Sequence, residues 1–561
     1  MAHLNEELDE TKQEKIKEYS VIDYIDFKEG AFDQDWYEEM ISNIDSKDFK
    51  LIYDNAKYIT VAGLHKRAQR FFEARNNQIT KEECITKIND TRNKDYVLIY
   101  SLIPLENNID LYERYMYLQE YLKMSKKFGS QRQASERRVV DIALDNLARN
   151  AGYNDTAIFI YEMEASNQSN KLQELLIDDI KIIPYINHLK ISLAVYKNDK
   201  KIASIPAKLN KNKEVIELKE QIKLEQNKLK RIVKSFEEAM CNKTMFSYDT
   251  LIKISKDYII NNVLSKLIFI SNNTPLIFKD DNLYDLNLNQ VKPDLIYIAH
   301  PITLKDNNVL NECINYVIKN NIKQPFKQVL REFYTKSSQE LTQEDCWRFR
   351  GFNVDIKKCI AALKGKNWSI SEEIGLRRVH YYSNTISVLF KEFDLPYTYD
   401  LDNYNQELHT ISFINRKTYE QILIKDVDDI VYSETLRDVD LMISISSNSI
   451  YDYELALSTT EIRQEILKSL VEILNLNNVG FLKDNIKVEG KYGNYLINIR
   501  TGLVFKEGKG NLFLKTIYST NKPILLDFID EDPMTSDIIS KAIVLANDNK
   551  IKDSTILEQI M

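Results

Sequence analysis

Three sets of polar residues in this 561-residue chain have types and spacings suited to chemistry. In the first, His300 stands at the end of a strand-like run, Leu295–Ala299, with Pro301 behind it and Arg331-Glu332 further along. Open α/β sheets bind ligands at strand ends, arginine grips carboxylate or phosphate with two parallel hydrogen bonds, and histidine moves protons near neutral pH. His300, Arg331 and Glu332 are therefore the catalytic candidates for an anionic ligand. A His-Pro turn and an internal Arg–Glu ion pair account for the same residues, and neighbours on a helix point about 100° apart. The second set, Arg348 and Arg350 beside Gly351, is a candidate anion cup or a solvated basic edge. The third, Arg437-Asp438-Val439-Asp440, offers Asp438 and Asp440 as carboxylates for a metal or a base, or as polar caps at a helix end.

Several familiar chemistries are missing from the sequence. It contains no GxxxxGK[ST] phosphate loop, no GxGxxG opening a helix, no HExxH and no GxSxG elbow. The histidines (His3, His65, His188, His300, His380, His409) lie far apart, and the five cysteines (Cys84, Cys241, Cys313, Cys346, Cys359) never pair as CxxC. Neither a metal site, nor a cofactor, nor a disulfide framework is expected.

The elements that must hold these residues follow from periodicity. Residues 1–34 are acidic and polar and are expected to be flexible, and 35–185 read as a helical domain. Within it Thr80 and Glu83 form a capping box, and Leu111–Lys126 and Gln131–Asn150 are amphipathic helices closed by Gly129 and Gly152. On the latter helix Gln131, Arg132, Glu136, Arg137 and Arg138 read as a docking face or as pairs one turn apart. Residues 186–290 begin with a hairpin, Leu189–Ala203, turning at Asn198-Asp199, and continue with a long helix, Glu214–Met240, whose seam is interrupted by Glu225. Residues 291–445 form a central mixed region. There Gln324–Tyr334 reads as an amphipathic helix, Asp355–Leu363 as another, and Asp426–Asp438 as a third that feeds a buried strand, Leu441–Ser444. Residues 446–561 add a helix at Thr459–Leu474, a glycine-punctuated β-meander over 478–518 and a helix at Thr535–Asp548. The class is α+β: a mostly helical N-terminal half, then a mixed α/β C-terminal half ending in an antiparallel meander and a helix.

Composition narrows the setting. A net charge of −8 over 76 basic and 84 acidic residues gives no overall pull toward nucleic acid. No apolar run approaches the ~18 residues of a spanning helix, and the opening MAHLNEELDETKQEK lacks the apolar stretch of a secretory signal. A cytoplasmic protein is expected.

Four stretches carry a resemblance: FGSQRQASERRVVDIALDNLARNAGYND (Phe128–Asp155), QPFKQVLREFY (Gln324–Tyr334), SETLRDVDLMISIS (Ser433–Ser446) and SKAIVLANDNKIKDSTILEQI (Ser540–Ile560). In this order they resemble the bacterial DUF 4132 family, which includes MolR-type proteins, over roughly residues 50–561. The resemblance is to the C-terminal half of longer relatives that begin with a WGR module. It implies no agreed chemistry, but it implies company: a MoxR-type ATPase and a von Willebrand A-type protein. Gly351-Phe352 stands where many relatives have Gly-His, and the last meander keeps little of their Leu-Cys-Ile-Val-Pro strand, which weakens a catalytic role at either place. The leading expectation is a non-enzymatic adaptor or scaffold in stress response or defence. The alternatives are an enzyme acting on an anionic ligand and a regulator of molybdate metabolism.

Overall fold

The computed structural model describes residues 20, 22, 24–58, 64–153, 155–166, 174–187, 189–371, 375–390, 405–416, 418–446, 457–514 and 533–561. Most of the stretch expected to be flexible at 1–34, together with His3 and His188, lies outside these residues. The chain divides into two compact units, Met1–Gln168 and Ser169–Met561.

The first unit is helical: α1 (Tyr24–Glu29), α2 (Gln34–Asn43), α3 (Ser46–Asn55), α4 (Leu64–Arg75), α5 (Lys81–Thr91), α6 (Lys94–Leu102), α7 (Asn108–Ser125), α8 (Ser130–Asn150) and α9 (Thr156–Ser166). The capping box is real at its first bond, since the Thr80 hydroxyl accepts the Glu83 N–H at 3.2 Å and opens α5. Helix α6 is buried on every side from Tyr96 to Leu102, so its last carbonyls cannot turn to water. Arg114 of α7, itself fully buried, solves this by donating to the carbonyls of Tyr100, Ile103 and Pro104 while gripping Asp110 at 3.0 and 2.7 Å. The charged start of α8 is also used internally. Glu136 is fully buried between Arg132, one turn before it, and Arg92, while Arg138 reaches Asp26 and Glu29.

The second unit opens with an antiparallel sheet, β1 (Leu175–Ile177), β2 (Ile180–Asn187), β3 (Lys190–Lys197) and β4 (Lys200–Ile202). Asn198 and Asp199 both take positive φ, 46° and 60°, as a two-residue hairpin turn requires. The long helix α10 (Lys213–Cys241) follows, capped by Asn212, and packs Val215, Leu218 and Ile222 on that sheet. Next come β5 (Met245–Phe246), α11 (Tyr248–Ile254), α12 (Tyr258–Leu264), β6 (Ile268–Ser271), β7 (Thr274–Lys279), β8 (Asn282–Asp285), β9 (Gln290–Val291) and β10 (Ile296–Ile298). These strands make one antiparallel sheet in the order β5-β10-β6-β7-β8-β9. Helices α13 (Pro301–Asp306) and α14 (Leu310–Lys319) leave its end.

A second sheet, ordered β11-β17-β15-β14-β13, comprises β11 (Asp345–Cys346), β13 (Trp368–Ser371), β14 (Gly375–His380), β15 (Thr385–Leu389) and β17 (Ile411–Asn415). Between them lie β12 (Asn353–Asp355), paired with β16 (Asn405–Glu407), and α15 (Ile356–Lys364). Helix α16 (Asp429–Ser446) packs against this sheet with Val431, Tyr432, Leu436, Val439, Met442 and Ile443 inward. The chain closes with α17 (Leu457–Ile473), the meander β18 (Val479–Phe481), β19 (Asn485–Glu489), β20 (Asn494–Asn498), β21 (Val504–Lys506) and β22 (Gly510–Leu512), then α18 (Pro533–Ala546) and α19 (Ser554–Ile560). The fold is α+β as expected, with one short helix beyond the expected last one.

Two expected elements are different. Gln324–Tyr334 is not a helix but an irregular run of turns. Its Phe326, Val329, Leu330 and Phe333 have helical spacing, yet Gln328 and Arg331 are buried as deeply as the apolar set, which a helix with one wet face cannot arrange. Side chains have taken the role of the helix ladder. Gln328 accepts the Ile268 N–H at 2.9 Å and donates to the carbonyls of Ile268 and Ala299 at 2.6 and 2.9 Å, plugging the end of β6 and β10. Gln324 donates to Gln328 Oε1 and accepts the Val329 N–H. The second difference is Leu441–Ser444, which continues α16 and is no strand. Leu441 and Ile445, four apart, are 40% and 52% exposed while Met442, Ile443 and Ser446 are buried, a period of 3.6 hidden in an apolar run.

Replacing Gln328 with alanine leaves the Ala299 carbonyl and the Ile268 N–H without their side-chain partner in a dry place, while the Ile268 carbonyl keeps only the Ala299 N–H. The expected loss is about 3 kcal/mol of unfolding free energy, read from the urea midpoint of the full chain; a change under ~0.5 kcal/mol would show that the plug is dispensable.

Candidate functional site

Helix α16 positions the polar groups of the second unit. Asp428 caps it, accepting the N–H groups of Ile430 and Val431, and also holds Tyr382 Oη at 2.8 Å and Lys243 Nζ at 2.6 Å. From Ile430 to Leu436 every side chain is buried, Glu434 among them. A carboxylate in such a place must find cations or lose its charge.

Glu434 finds Arg331. The guanidinium donates from Nε to Oε1 and from Nη2 to Oε2, both at 2.7 Å, and His300 Nε2 lies 3.2 Å from Oε1. Arg331 also reaches Glu237 of α10 at 2.8 Å and the carbonyl of Lys327, and the Cys241 thiol sits between Arg331 and Glu434. His300 itself is the N-cap of α13: its Nδ1 accepts the Ile302 N–H at 3.2 Å. The electrostatics follow the geometry. Burial pushes the Glu434 carboxyl up, but the Arg331 charge and the bonds from Arg331 and His300 outweigh it and hold it well below its ordinary range. Burial lowers His300, only partly countered by Glu434, so the ring stays neutral, and burial raises the Cys241 thiol away from thiolate. Glu237, whose side chain is 30% exposed, is the network's most open member.

The remaining candidates disperse. Glu332, adjacent to Arg331, turns the other way to Lys327 and to Arg437 at 3.1 Å. Arg348 is spent on Glu340, which it grips at 2.7 and 2.6 Å and which also accepts Tyr432 Oη and Ser337. Arg350 instead lies exposed over the Trp347 ring, 5.0 Å from its centre, so the two arginines form no cup. Because residues 438 and 440 lie on a helix, two positions apart, their carboxylates diverge. Asp438 points inward to Trp368 Nε1 at 2.9 Å and to Arg378 at 2.5 Å, with its Oδ1 unpaired among the described residues, whereas Asp440 accepts the Tyr334 hydroxyl. Among the described residues no three histidine, cysteine, aspartate or glutamate side chains gather in a metal-holding group.

The structure thus unites two candidates, His300 and Arg331, on a carboxylate that sequence reading passed over. Glu434 lies inside the phrase SETLRDVDLMISIS, and its signal was a single acid among the apolar and hydroxyl side chains from Ile430 to Leu436. Glu237, Cys241 and Arg378 were not legible, since only the fold brings them near.

Comparison with known families follows the same chain order. Residues 1–163 match a family of unknown function (DUF5724), residues 200–368 a domain of unknown function (DUF4132) and residues 460–560 a domain of unknown function (DUF7737). DUF4132 is the match of the middle of the chain alone, residues 200–368. The match is narrower than the span of roughly residues 50–561 expected from sequence: DUF4132 sits mid-chain, with different families matched on either side. Glu237, His300 and Arg331 lie inside the DUF4132 stretch and Glu434 outside all three matches. No curated protein and no solved structure matches the chain. No helix among the described residues is long and apolar enough to cross a membrane.

Two outcomes are expected of this network. Glu434→Met leaves the buried Arg331 charge with Glu237 alone as its carboxylate among the described residues and is expected to cost about 3 kcal/mol, while Arg331→Met with Glu434→Met together costs clearly less than the two single changes summed. Urea midpoints of the four proteins give the answer, and additive losses would deny the coupling. The pH dependence has two signs. Glu332 is half-buried and Glu340 buried, which raises them, yet their cations hold both at about 2, below the ordinary 4.5, so their stabilisation is complete above pH 4.5 and is lost as pH falls toward 2. Asp440 is the reverse: burial lifts it from 3.8 to about 6, so it weakens the fold at pH 7 and ceases to do so as pH falls below 6 toward 3.8. Asp440→Asn is therefore expected to raise the thermal midpoint at pH 7 and to lose most of that advantage at pH 4; equal gains at both would refute the assignment.

Proposed function

We propose that this chain is a cytosolic adaptor or scaffold without chemistry of its own, linked to a MoxR-type ATPase and a von Willebrand A-type protein in stress response or defence. One observation carries the first half of this reading: the charged groups best placed to react are consumed by one another. Glu434 takes both prongs of Arg331 and the His300 ring, all three buried. Groups held in this way fix one arrangement of the chain, and a thiol raised by burial makes a poor nucleophile. The second half, the identity of the partners, is supported by the family resemblance alone.

In this reading the second unit supplies a stiff frame for docking, and α10, 29 residues long, is its longest helix among the described residues. The test is recovery of the full-length tagged chain from its native cells. The MoxR-type ATPase and the von Willebrand A-type protein are expected to co-purify in near-stoichiometric amounts, and their absence from the eluate, with the tagged chain folded and abundant, would overturn the reading.

A further inference from the structure

The outer face of α10 carries a cation stripe beside a small apolar groove. Lys219, Lys223, Lys230 and Lys234 are exposed and share one helix face, since their positions fall within about 60° of one another at 100° per residue. Lys219 donates to Asn210 and Lys234 lies 3.4 Å from Glu238, whereas Lys223 and Lys230 have no acidic partner among the described residues. From Gln221 to Phe236 the helix holds a single acid, Glu225, and that side chain faces inward, 5% exposed. Along one flank of the stripe runs a groove of about 160 Å³ bounded by Leu189, Leu229, Lys230, Val233, Lys234 and Glu237. Its far wall is fixed. Gln226 donates to the Leu189 carbonyl and accepts the Ile191 N–H, both at 2.8 Å, so α10 and the start of β3 hold their spacing without a side chain filling it. On the other flank Leu224 stands 63% exposed.

We propose that this face docks a short acidic segment of a partner protein, seating one aliphatic side chain in the groove and its carboxylates on Lys223, Lys230 and Lys234. The inference rests on the adaptor reading and names the chemistry of its partner. Charge complementarity selects the occupant. The cation run from Lys223 to Lys234 spans about 17 Å and is bounded by acids at both ends, Glu214, Glu217 and Glu220 before it and Glu237 and Glu238 after it. A phosphate backbone or an anionic bilayer would press its charge against those acids as well, on a chain of net charge −8. A peptide acidic only in its middle avoids that repulsion, and the apolar floor of Leu189, Leu229 and Val233 rewards an aliphatic side chain that nucleic acid lacks.

The test uses the full chain and a fluorescein-labelled peptide of about 16 residues, Asp- and Glu-rich with leucine at every fourth position. Beside it run a leucine-free acidic peptide of equal charge, a single-stranded DNA of about the same length, and phosphatidylserine vesicles. The leucine-bearing peptide is expected to bind most tightly, and both the Lys230→Glu/Lys234→Glu and the Val233→Asp variants are expected to weaken it about tenfold or more with an unchanged thermal midpoint. Failure to bind, insensitivity to these variants, equal binding of the leucine-free peptide, or tighter binding of DNA or vesicles would each overturn the proposal. The two readings separate cleanly: if the native ATPase and its companion still co-purify with the Lys230→Glu/Lys234→Glu variant, this docking face is wrong and the adaptor reading stands.

Discussion

A carboxylate locked by a two-pronged guanidinium in a dry core is the constraint on which the second unit depends. Glu434 and Arg331 are each almost fully buried and meet through two bonds of 2.7 Å. Removing two charges from water costs several kcal/mol per ion, and only near-ideal geometry with the remaining donors and acceptors satisfied recovers it. Such a pair contributes little net stability. What it does is penalise every arrangement of the chain in which the partners are apart. Two further segments are drawn into the requirement, because Glu237 and Cys241 of α10 and the His300 cap of α13 complete the shell, together with the Lys327 carbonyl of Arg331's own run.

Helix α16 extends the same logic along its length. Glu434 and Asp438, one turn apart, address Arg331 and Arg378, while Ser433 accepts the Tyr334 N–H and Thr435 contacts Ser387, which in turn meets His380. Each side chain speaks to a different piece of the unit, so the helix sets their mutual placement. The first unit handles buried charge by a shorter route. Arg114 satisfies the carbonyls at a helix end, 14 and 11 residues upstream, and Glu136 is held by Arg132 of its own helix and by Arg92.

What the sequence made legible was whatever repeats. Helices α7, α8, α10 and α15 and the meander β18–β22 follow from spacing and punctuation, and the turn at Asn198-Asp199 from residue type. The misreadings share one cause, a local pattern outweighed by distant contacts. Gln324–Tyr334 has helical spacing, but the sheet end needs Gln328 and Glu434 needs Arg331, and the backbone yields to both. Leu441–Ser444 looks like a strand because three apolar residues run together in it, yet it inherits the helix that Asp428 caps 13 residues before Leu441. For the site, candidate residues were visible singly. Their partners were not, since Arg331 and Glu434 are separated by 103 positions.

The Glu434–Arg331 pair also gives the second unit a thermal character. Hydration of ions carries a strongly negative entropy, so the penalty for stripping water from these two groups shrinks on warming, while the gain per buried apolar area levels off. Heat therefore shifts the balance of cohesion around α16 toward this ionic knot, and chilling shifts it toward the apolar contacts.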